Sequence, residues 1–390
     1  MPASDSIAYK FRPGLQAATL DDKKVPTDHT ASIFRDRALY FNSISGFNDP
    51  FESKFICPEK PENDAHAFRS ILNRIISAIG GSAAEVNLFL ANPLARWFMF
   101  ELASRDYEQA SIIIELEHLY RNYLYQIGTL CLNQGFDDIL SWSHYANNHT
   151  GIAIGFDVNE LYQSKENYFP IPKGGDSGTS NTGTPKHGIF VAETPISITY
   201  VSDQIPIDIM SYTPNDFARL SLSTKSLHWG YEREVRYLAI PRRKSISYGN
   251  VLNIIRAPFL EHVDNLAECR VYRSTTWGVE DGKMVNFMDL QDQALLDALK
   301  SCFHPPNRYP LRHVYSQITS LMMPPDSVSN ISIEFKHPTA LKEVIFGSQA
   351  RREDVLRQAR WIKKLGHYDH VKFYQMLAST SRFAIQRMDV

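Results

Sequence analysis

Short runs of continuous or alternating apolar residues, separated by turn residues, predict strands along much of this chain. The predicted strands lie at residues 9–12, 39–42, 129–132, 151–156, 196–201, 235–240, 341–346, 371–376 and 382–387. Apolar residues three and four positions apart predict helices at residues 30–37, 138–146, 215–224 and 353–365. Because the strands are joined partly by helices and partly by short turns, we expect an α+β fold with a mixed sheet.

Two long stretches interrupt these strands and indicate insertions. Residues 64–128 place apolar side chains at helical spacing, and Pro93 divides the stretch. Residues 258–325 mix helical segments with pairs of prolines. We therefore expect one elaborated domain over residues 1–390, with a helical insertion at 64–128 and a second helical elaboration at 258–325.

The composition is that of an ordinary globular protein. Hydrophobic residues make up 43% of the 390 residues, and charged residues make up 22%. The 41 basic residues nearly balance the 43 acidic ones, and no basic run is present, so nothing in the overall charge points to nucleic acid or to an anionic membrane. No apolar run approaches the roughly 20 residues that a bilayer-spanning helix needs.

The cysteines and the N-terminus bear on the compartment. The four cysteines form no C-x-x-C pair, which argues against a zinc site and against a disulfide scaffold; they are Cys57, Cys131, Cys269 and Cys302. The first residues lack the basic region and apolar core of a signal peptide. We therefore expect a cytoplasmic protein without a membrane partner.

Paired carboxylates precede the strand predicted at 235–240. Glu232 and Glu234 are two positions apart, so on a strand both side chains would project from one face. Like charges disfavour each other, but a site that holds a developing positive charge gains from the pair. The alternative is a solvated edge strand whose acids pair with Arg233 and Arg236, because exposed E-x-E sequences are common.

A second dense cluster of aromatic and polar residues lies at 142–151. On a helix His144 shares a face with Asn148, and Ser141 shares one with Tyr145. Such a cluster could stack against a nucleotide or hold a metal, or it could simply be a polar helix end. Metal-ligand spacing is poor, since His144 and His149 are five positions apart.

Six blocks in chain order resemble the signature blocks of the bacterial domain of unknown function 2971 family. They lie at residues 9–12, 39–43, 47–52, 142–151, 225–236 and 344–348. The order of the blocks is also similar to the ADP-ribosyltransferase fold. That resemblance implies a mostly antiparallel central sheet of ADP-ribosyltransferase-like type with helical insertions.

The ADP-ribosyltransferase resemblance also implies roles for particular residues. Glu234, its companion Glu232, and Ser43 would be catalytic, with Tyr40 as the alternative to Ser43. The residues expected to bind NAD, which is consumed as a substrate, are Arg12, Lys10, Tyr40, Phe47, Asn48, His144 and Tyr145. The residues expected to recognise the target are Lys225, His228, Trp229 and Tyr231.

The implied function is an NAD-consuming ADP-ribosyltransferase-like enzyme, a toxin or an anti-phage defence effector. Its acceptor would be a protein or a nucleic acid, and a regulatory partner protein is a further expectation. Two alternatives stay open. One is a non-catalytic sensor module that binds a nucleotide or a protein. The other is a metal-assisted phosphodiesterase or nuclease that uses His144, His149, Asp157 and the two glutamates.

Overall fold

The structure is a computed structural model. It describes residues 6–21, 25, 28–56, 117–162, 169–170, 188–191, 194–207, 212, 214–241, 250–255, 270–271, 277–280, 283–286, 329–335, 337–378 and 385–390, with scattered positions between 87 and 98 and between 314 and 318. Most of the two predicted insertions therefore lies outside the described residues.

Seventeen strands occur within the described ranges. They are β1 (Ile7–Arg12), β2 (Ala38–Phe41), β3 (Gly128–Asn133), β4 (Ile152–Asp157), β5 (Phe169–Pro170), β6 (Gly188–Val191), β7 (Ile196–Ser197), β8 (Thr199–Val201), β9 (Thr224–Ser226), β10 (Glu234–Pro241), β11 (Arg270–Val271), β12 (Trp277–Glu280), β13 (Lys283–Asn286), β14 (Ile331–Glu334), β15 (Leu341–Phe346), β16 (Lys372–Ala378) and β17 (Ile385–Asp389). Ten of them form one open sheet in the order β17-β16-β15-β4-β1-β3-β10-β6-β5, with β7 also paired to β10.

The predicted mixed and mostly antiparallel sheet is confirmed. In the ten-stranded sheet β15 and β16 run parallel, and the other recorded pairs are antiparallel. Smaller sheets pair β14 with β2, β8 with β9, and β11 through β13 with one another. The sheet of β11 to β13 falls within the predicted second helical elaboration, where the apolar spacing did not indicate strands.

Among the described residues, the helices whose first and last residues are both defined are α1 (Ala17–Leu20), α2 (His29–Arg35), α3 (Ile139–Tyr145), α4 (Pro214–Leu222) and α5 (Arg352–Lys364). Residues 117–126 and 250–255 are also helical. Short 3₁₀ turns lie at Ile44–Gly46, Leu227–Glu232 and Pro338–Ala340. No helix of the described residues combines the length and apolar character needed to cross a membrane.

Both faces of the central sheet are covered. On one face α2 and α5 pack Phe34 and Ile362 against apolar side chains of β4 and β15. On the other face Trp142 of α3 packs against Phe11, with ring centroids 5.1 Å apart. Apolar burial on both faces explains why β4 is a continuous apolar run rather than an alternating one.

The sheet forks between β1 and β3. β1 pairs with β4 along its whole length but has one register pair with β3, Tyr9 with Asn133. Further along β3, Thr129 pairs instead with Asn42, the residue after β2. Between these two points the Cys131 carbonyl accepts a hydrogen bond from the Lys10 ammonium (3.0 Å). This fork leaves a space in the middle of the sheet.

The helix predicted at 138–146 ends at Tyr145, before Asn148, which was expected to share a helical face with His144. Asp138 caps α3 by accepting a hydrogen bond from the Ser141 amide (2.6 Å). Asn147, Asn148 and His149 then have φ of 48°, 51° and 65°, the left-handed region, so the chain turns back at once. The predicted helical face shared by His144 and Asn148 is therefore wrong.

Candidate functional site

A cleft of about 440 Å³ opens at the fork between β1 and β3. Its volume falls in the range of roughly 300–1,000 Å³ that is typical of small-molecule sites. Most of the predicted site residues line this one cleft: Lys10, Arg12, Tyr40, Phe47, Asn48, His144, Tyr145, Lys225, Glu232 and Glu234. Residues separated by more than two hundred positions in the chain therefore meet around a single space.

Ser43, which was predicted to be catalytic, is not among the lining residues. It is buried, its hydroxyl accepts a hydrogen bond from the Ser45 amide (3.4 Å), and it donates to the Tyr125 carbonyl (3.4 Å). The hydroxyl thus serves the local 3₁₀ turn. Its neighbour Asn42 and the alternative Tyr40 do line the cleft.

Three of the four predicted target-recognition residues lie beside the cleft rather than in its wall. The ring of Trp229 lies 4.8 Å from Lys225 Nζ and 6.3 Å from the His144 ring. Tyr231 lies next to Trp229, with centroids 6.0 Å apart. His228 lines a second cavity, which Lys225 also lines.

Glu234, the first residue of β10, is surrounded by cations. Lys225 Nζ donates to Glu234 Oε2 at 3.0 Å, and Arg236 donates to Oε1 from Nε (2.7 Å) and to Oε2 from Nη2 (3.0 Å). Burial by itself raises the pKa of Glu234, but Arg236 and Lys225 outweigh burial and hold this pKa at about 2. Glu234 is therefore ionised at neutral pH.

Glu232 shares the same lysine. Lys225 Nζ donates to Glu232 Oε2 at 2.6 Å, and the Tyr145 hydroxyl donates to Glu232 Oε1 at 2.7 Å. Burial and the adjacent carboxylate raise the pKa of Tyr145, so its hydroxyl keeps its proton. Asn48 in turn donates to the Tyr145 oxygen at 3.4 Å. Lys225 thus joins both carboxylates in one buried network.

The two carboxylates converge for a different reason from the one predicted. Glu232 ends a 3₁₀ turn, Arg233 adopts the left-handed conformation (φ 45°), and only Glu234 is on the strand. The face rule for strands therefore does not apply to this pair. A left-handed residue between a turn and a strand brings both side chains to Lys225.

The alternative of a solvated edge strand is wrong. Glu232 and Glu234 are each 3% exposed, and β10 lies between β3 on one side and β6 and β7 on the other. Arg236 does pair with Glu234, as that alternative expected. Arg233 pairs instead with Asp137 at the surface.

Two further charged residues of the cleft were not predicted as site residues. Arg236 is 1% exposed; it also pairs with Glu52, donates to the Leu222 carbonyl (2.8 Å), and lies over the Phe47 ring at 5.1 Å. Burial raises the pKa of Glu52 to about 7, against the opposing effect of Arg236. The sequence did point to both positions, since Glu52 lies in the block at 47–52 and Arg236 in the block at 225–236.

Three lining residues of β3 gave no signal in the sequence: Thr129, Cys131 and Asn133. Asn133 and Cys131 lie opposite Glu234 and Arg236 in the register of β3 and β10, so they share a face with these charges. Their place follows from strand pairing, which residue types alone do not reveal.

Lys10 and Arg12 line the cleft without a carboxylate at ion-pair distance among the described residues. Burial lowers the pKa of Lys10, and the neighbouring Arg12 lowers it further, while burial also lowers the pKa of Arg12. The Nε of Arg12 is buried and has no hydrogen-bond partner within the described part of the chain. Two such cations side by side make a site for an anion.

The metal constellation does not assemble. His149 stacks on Trp142 and meets the Ser143 hydroxyl at 3.1 Å, and Asp157 accepts a hydrogen bond from the Asn159 amide. Neither residue lines the cleft. Across the part of the chain that the structure describes, no group of three histidine, cysteine or carboxylate side chains could hold a metal.

The fold and the cleft define a mixed α/β protein whose forked sheet holds a buried charge network beside unpaired cations. Residues 141–237 match the family described as "Protein of unknown function (DUF2971)", which bears out the predicted resemblance to the domain of unknown function 2971 family. No curated protein and no solved structure matches the chain. The matched segment contains Tyr145, Lys225, Glu232, Glu234 and Arg236, the core of the network.

Proposed function

We propose that this protein is an NAD-consuming enzyme of the ADP-ribosyltransferase type and that its sheet is a variant of that fold. The observation that carries the proposal is the composition of one cleft. Lys10 and Arg12 are unpaired cations in its wall, and Glu232 and Glu234 line the same space. A dinucleotide brings a diphosphate for the cations and ribose hydroxyls for the carboxylates.

The reaction would break the bond between ribose and nicotinamide. The bonding electron pair leaves with the nicotinamide nitrogen, and the ribose carbon gains positive charge until an acceptor nucleophile forms a new bond to it. A preorganised carboxylate stabilises that charge. Glu234 suits this role because it stays ionised and lines the cleft.

The aromatic lining supports the same class of ligand. Phe47, Tyr40, Tyr145 and His144 line the cleft, and flat rings stack well on a nicotinamide or an adenine. The Arg236 guanidinium lies over the Phe47 ring, 5.1 Å from its centroid, and stabilises the position of that ring. A cleft with both rings and unpaired cations fits a nucleotide better than it fits a simple anion.

The test is release of nicotinamide from NAD in the presence of cell lysate, compared between wild type, Glu234→Gln and Glu343→Gln. Glu343 is the matched control, because it is also a buried carboxylate (4% exposed), held by Arg387 and Tyr9 outside the cleft. We expect Glu234→Gln to lower the rate by about 10²-fold or more and Glu343→Gln to leave it close to wild type. No release by the wild type, or equal loss in both variants, contradicts the proposal.

One observation favours a second candidate, a nucleotide-binding sensor without catalysis. Glu234 is 3% exposed and already accepts three hydrogen bonds from two cations, so much of its charge is neutralised before any ligand arrives. A sensor of this kind would bind NAD and release it unchanged. Recovery of intact NAD from a stable complex with the wild type would favour the sensor over the enzyme.

A further inference from the structure

A second cavity, of about 330 Å³, adjoins the cleft and shares Lys225 with it. Apolar side chains form part of its wall: Phe51, Val201, Ile205 and Ile207. The ring of Phe51 is 61% exposed, an unusual exposure for a large aromatic side chain in a concave site. The Lys54 ammonium lies over the Phe51 ring, 5.7 Å from its centroid. The cavity therefore offers an exposed aromatic ring beside a cation and an apolar wall.

Two buried hydroxyls in this wall have no hydrogen-bond partner among the residues that the structure describes. Ser221, near the end of α4, is 4% exposed, and Ser53 is 7% exposed. The hydroxyl oxygen of each is buried and unpaired. Because most buried polar atoms in proteins are hydrogen-bonded, two such hydroxyls in one cavity indicate missing partners from a ligand. Each hydroxyl both donates and accepts, so it matches a ligand edge that carries both kinds of group.

The wall between the two cavities is built from the charge network. Glu52 lines the first cleft, whereas its chain neighbours Phe51 and Ser53 line the second cavity. Arg236, which lines the first, donates to the carbonyl of Leu222, the residue after Ser221. The second cavity is thus a separate space that lies directly behind the network.

We propose that the second cavity binds a nucleobase in the form of a nucleoside or a single nucleotide. The exposed Phe51 ring stacks on the face of the base, and Ser53 and Ser221 pair with its polar edge. Stacking between a base and an aromatic side chain is favourable whatever the base, and a planar heterocycle with alternating donors and acceptors satisfies both hydroxyls. This site does not depend on the activity proposed for the cleft.

Calorimetric titration with adenosine, inosine, cytidine and uridine tests the site, at concentrations up to about 5 mM, at which even millimolar dissociation constants are detected. The variants are Phe51→Ala and Ser221→Ala. Ser223→Ala is the matched control, because Ser223 lies two residues further along, outside the lining, with its hydroxyl bonded to the Leu220 carbonyl. Arg12→Met reports on the first cleft.

We expect at least one nucleoside to bind the wild type, and Phe51→Ala and Ser221→Ala each to weaken that binding about tenfold. Ser223→Ala and Arg12→Met should leave it unchanged. Absence of binding by all four nucleosides overturns the proposal, as does binding that depends on Arg12 and not on Phe51 or Ser221. The exposed Phe51 keeps the test valid if Ser221→Ala does not fold.

The unliganded Ser221→Ala variant adds a readout that separates binding from support of the fold. Because the Ser221 hydroxyl is unpaired, its removal should leave the thermal midpoint equal to or above that of the wild type. A lower midpoint would mean that the hydroxyl stabilises the empty protein, and it would contradict the role assigned here.

Discussion

Glu234 and Glu343 are both buried carboxylates on the central sheet, and each is bound by an arginine, yet only one lies at a candidate site. Glu343 accepts two hydrogen bonds from Arg387 (2.9 and 3.0 Å) and one from the Tyr9 hydroxyl (2.7 Å). Glu234 belongs to a network of three carboxylates and two cations that borders on a cleft. Burial and ion pairing are therefore common to both and identify neither as functional.

The two regions differ in whether cations without a carboxylate partner lie nearby. The Glu343 site pairs one acid with one arginine, and that arginine is 41% exposed and lies over the Tyr374 ring at 4.6 Å. Around the cleft, Lys10 and Arg12 are additional cations, and neither has a carboxylate at ion-pair distance among the described residues. Unpaired charge at half-buried positions beside an open space is costly unless a ligand completes it, and it is the better indicator of a site.

Removal of the arginine should separate the two regions most strongly. Arg236→Met leaves Glu234 and Glu52 short of a buried partner, so we expect the free energy of unfolding to fall by about 3–5 kcal/mol. Arg387→Met removes a partly exposed cation and leaves the Tyr9 bond to Glu343, so a loss of about 1 kcal/mol is expected. Urea unfolding of both variants measures the difference. Similar losses of unfolding free energy would contradict the expectation that Arg236 stabilises its buried partners more strongly than Arg387 stabilises Glu343.

Much of this comparison rests on elements that the sequence did predict. The sequence pattern placed β1, β4, β10 and β15 within a residue or two of their observed ends. Of these strands, β4 is the continuous apolar run expected of a strand buried on both faces. The residues that carry the resemblance to the ADP-ribosyltransferase fold mostly meet in one cleft. Side chains with strong chemical character in dense blocks can be found without coordinates.

The fork in the sheet could not be predicted, and the cleft follows from it. Whether β3 pairs with β1 or with Asn42 depends on segments more than eighty residues apart, and residue types do not encode that choice. The left-handed conformation of Arg233 was equally hidden, since a non-glycine residue adopts it only when its surroundings impose it. Ser43 does not line the cleft, because its hydroxyl is bonded within a local turn that the residue types did not indicate.

We expect the free energy of unfolding to depend on pH because of Glu52, which lines the cleft. Its pKa in the folded protein is about 7, above the ordinary 4.5, so the folded state holds the proton more tightly than the unfolded chain. The resulting stabilisation is present below pH 4.5 and is lost as pH rises through 7. Between pH 5 and pH 8 we expect the wild type to lose roughly 1–3 kcal/mol relative to Glu52→Gln.

Unfolding free energies at several pH values test this expectation. A constant difference between wild type and Glu52→Gln across that range would show that Glu52 is ionised throughout, as a fully satisfied partner of Arg236 would be. Glu52 and Arg236 would then form an ordinary ion pair, as Glu343 and Arg387 do.

The smallest expected effect on stability comes from Arg12. Its buried Nε has no acceptor, so Arg12→Met removes an unsatisfied group and should change the free energy of unfolding by less than about 1 kcal/mol, in either direction. Thermal or urea unfolding measures the change. A large loss would show that Arg12 supports the fold, and its place in the anion site would then need another explanation.

Calorimetric titration of NAD into wild type, Arg12→Met and Arg387→Met tests the central claim most directly. If the unpaired cations of the cleft exist to hold the diphosphate, NAD binds the wild type, and Arg12→Met weakens binding by about 10- to 100-fold, while Arg387→Met leaves it unchanged. Failure of NAD to bind the wild type, or equal affinity in wild type and Arg12→Met, would contradict the account.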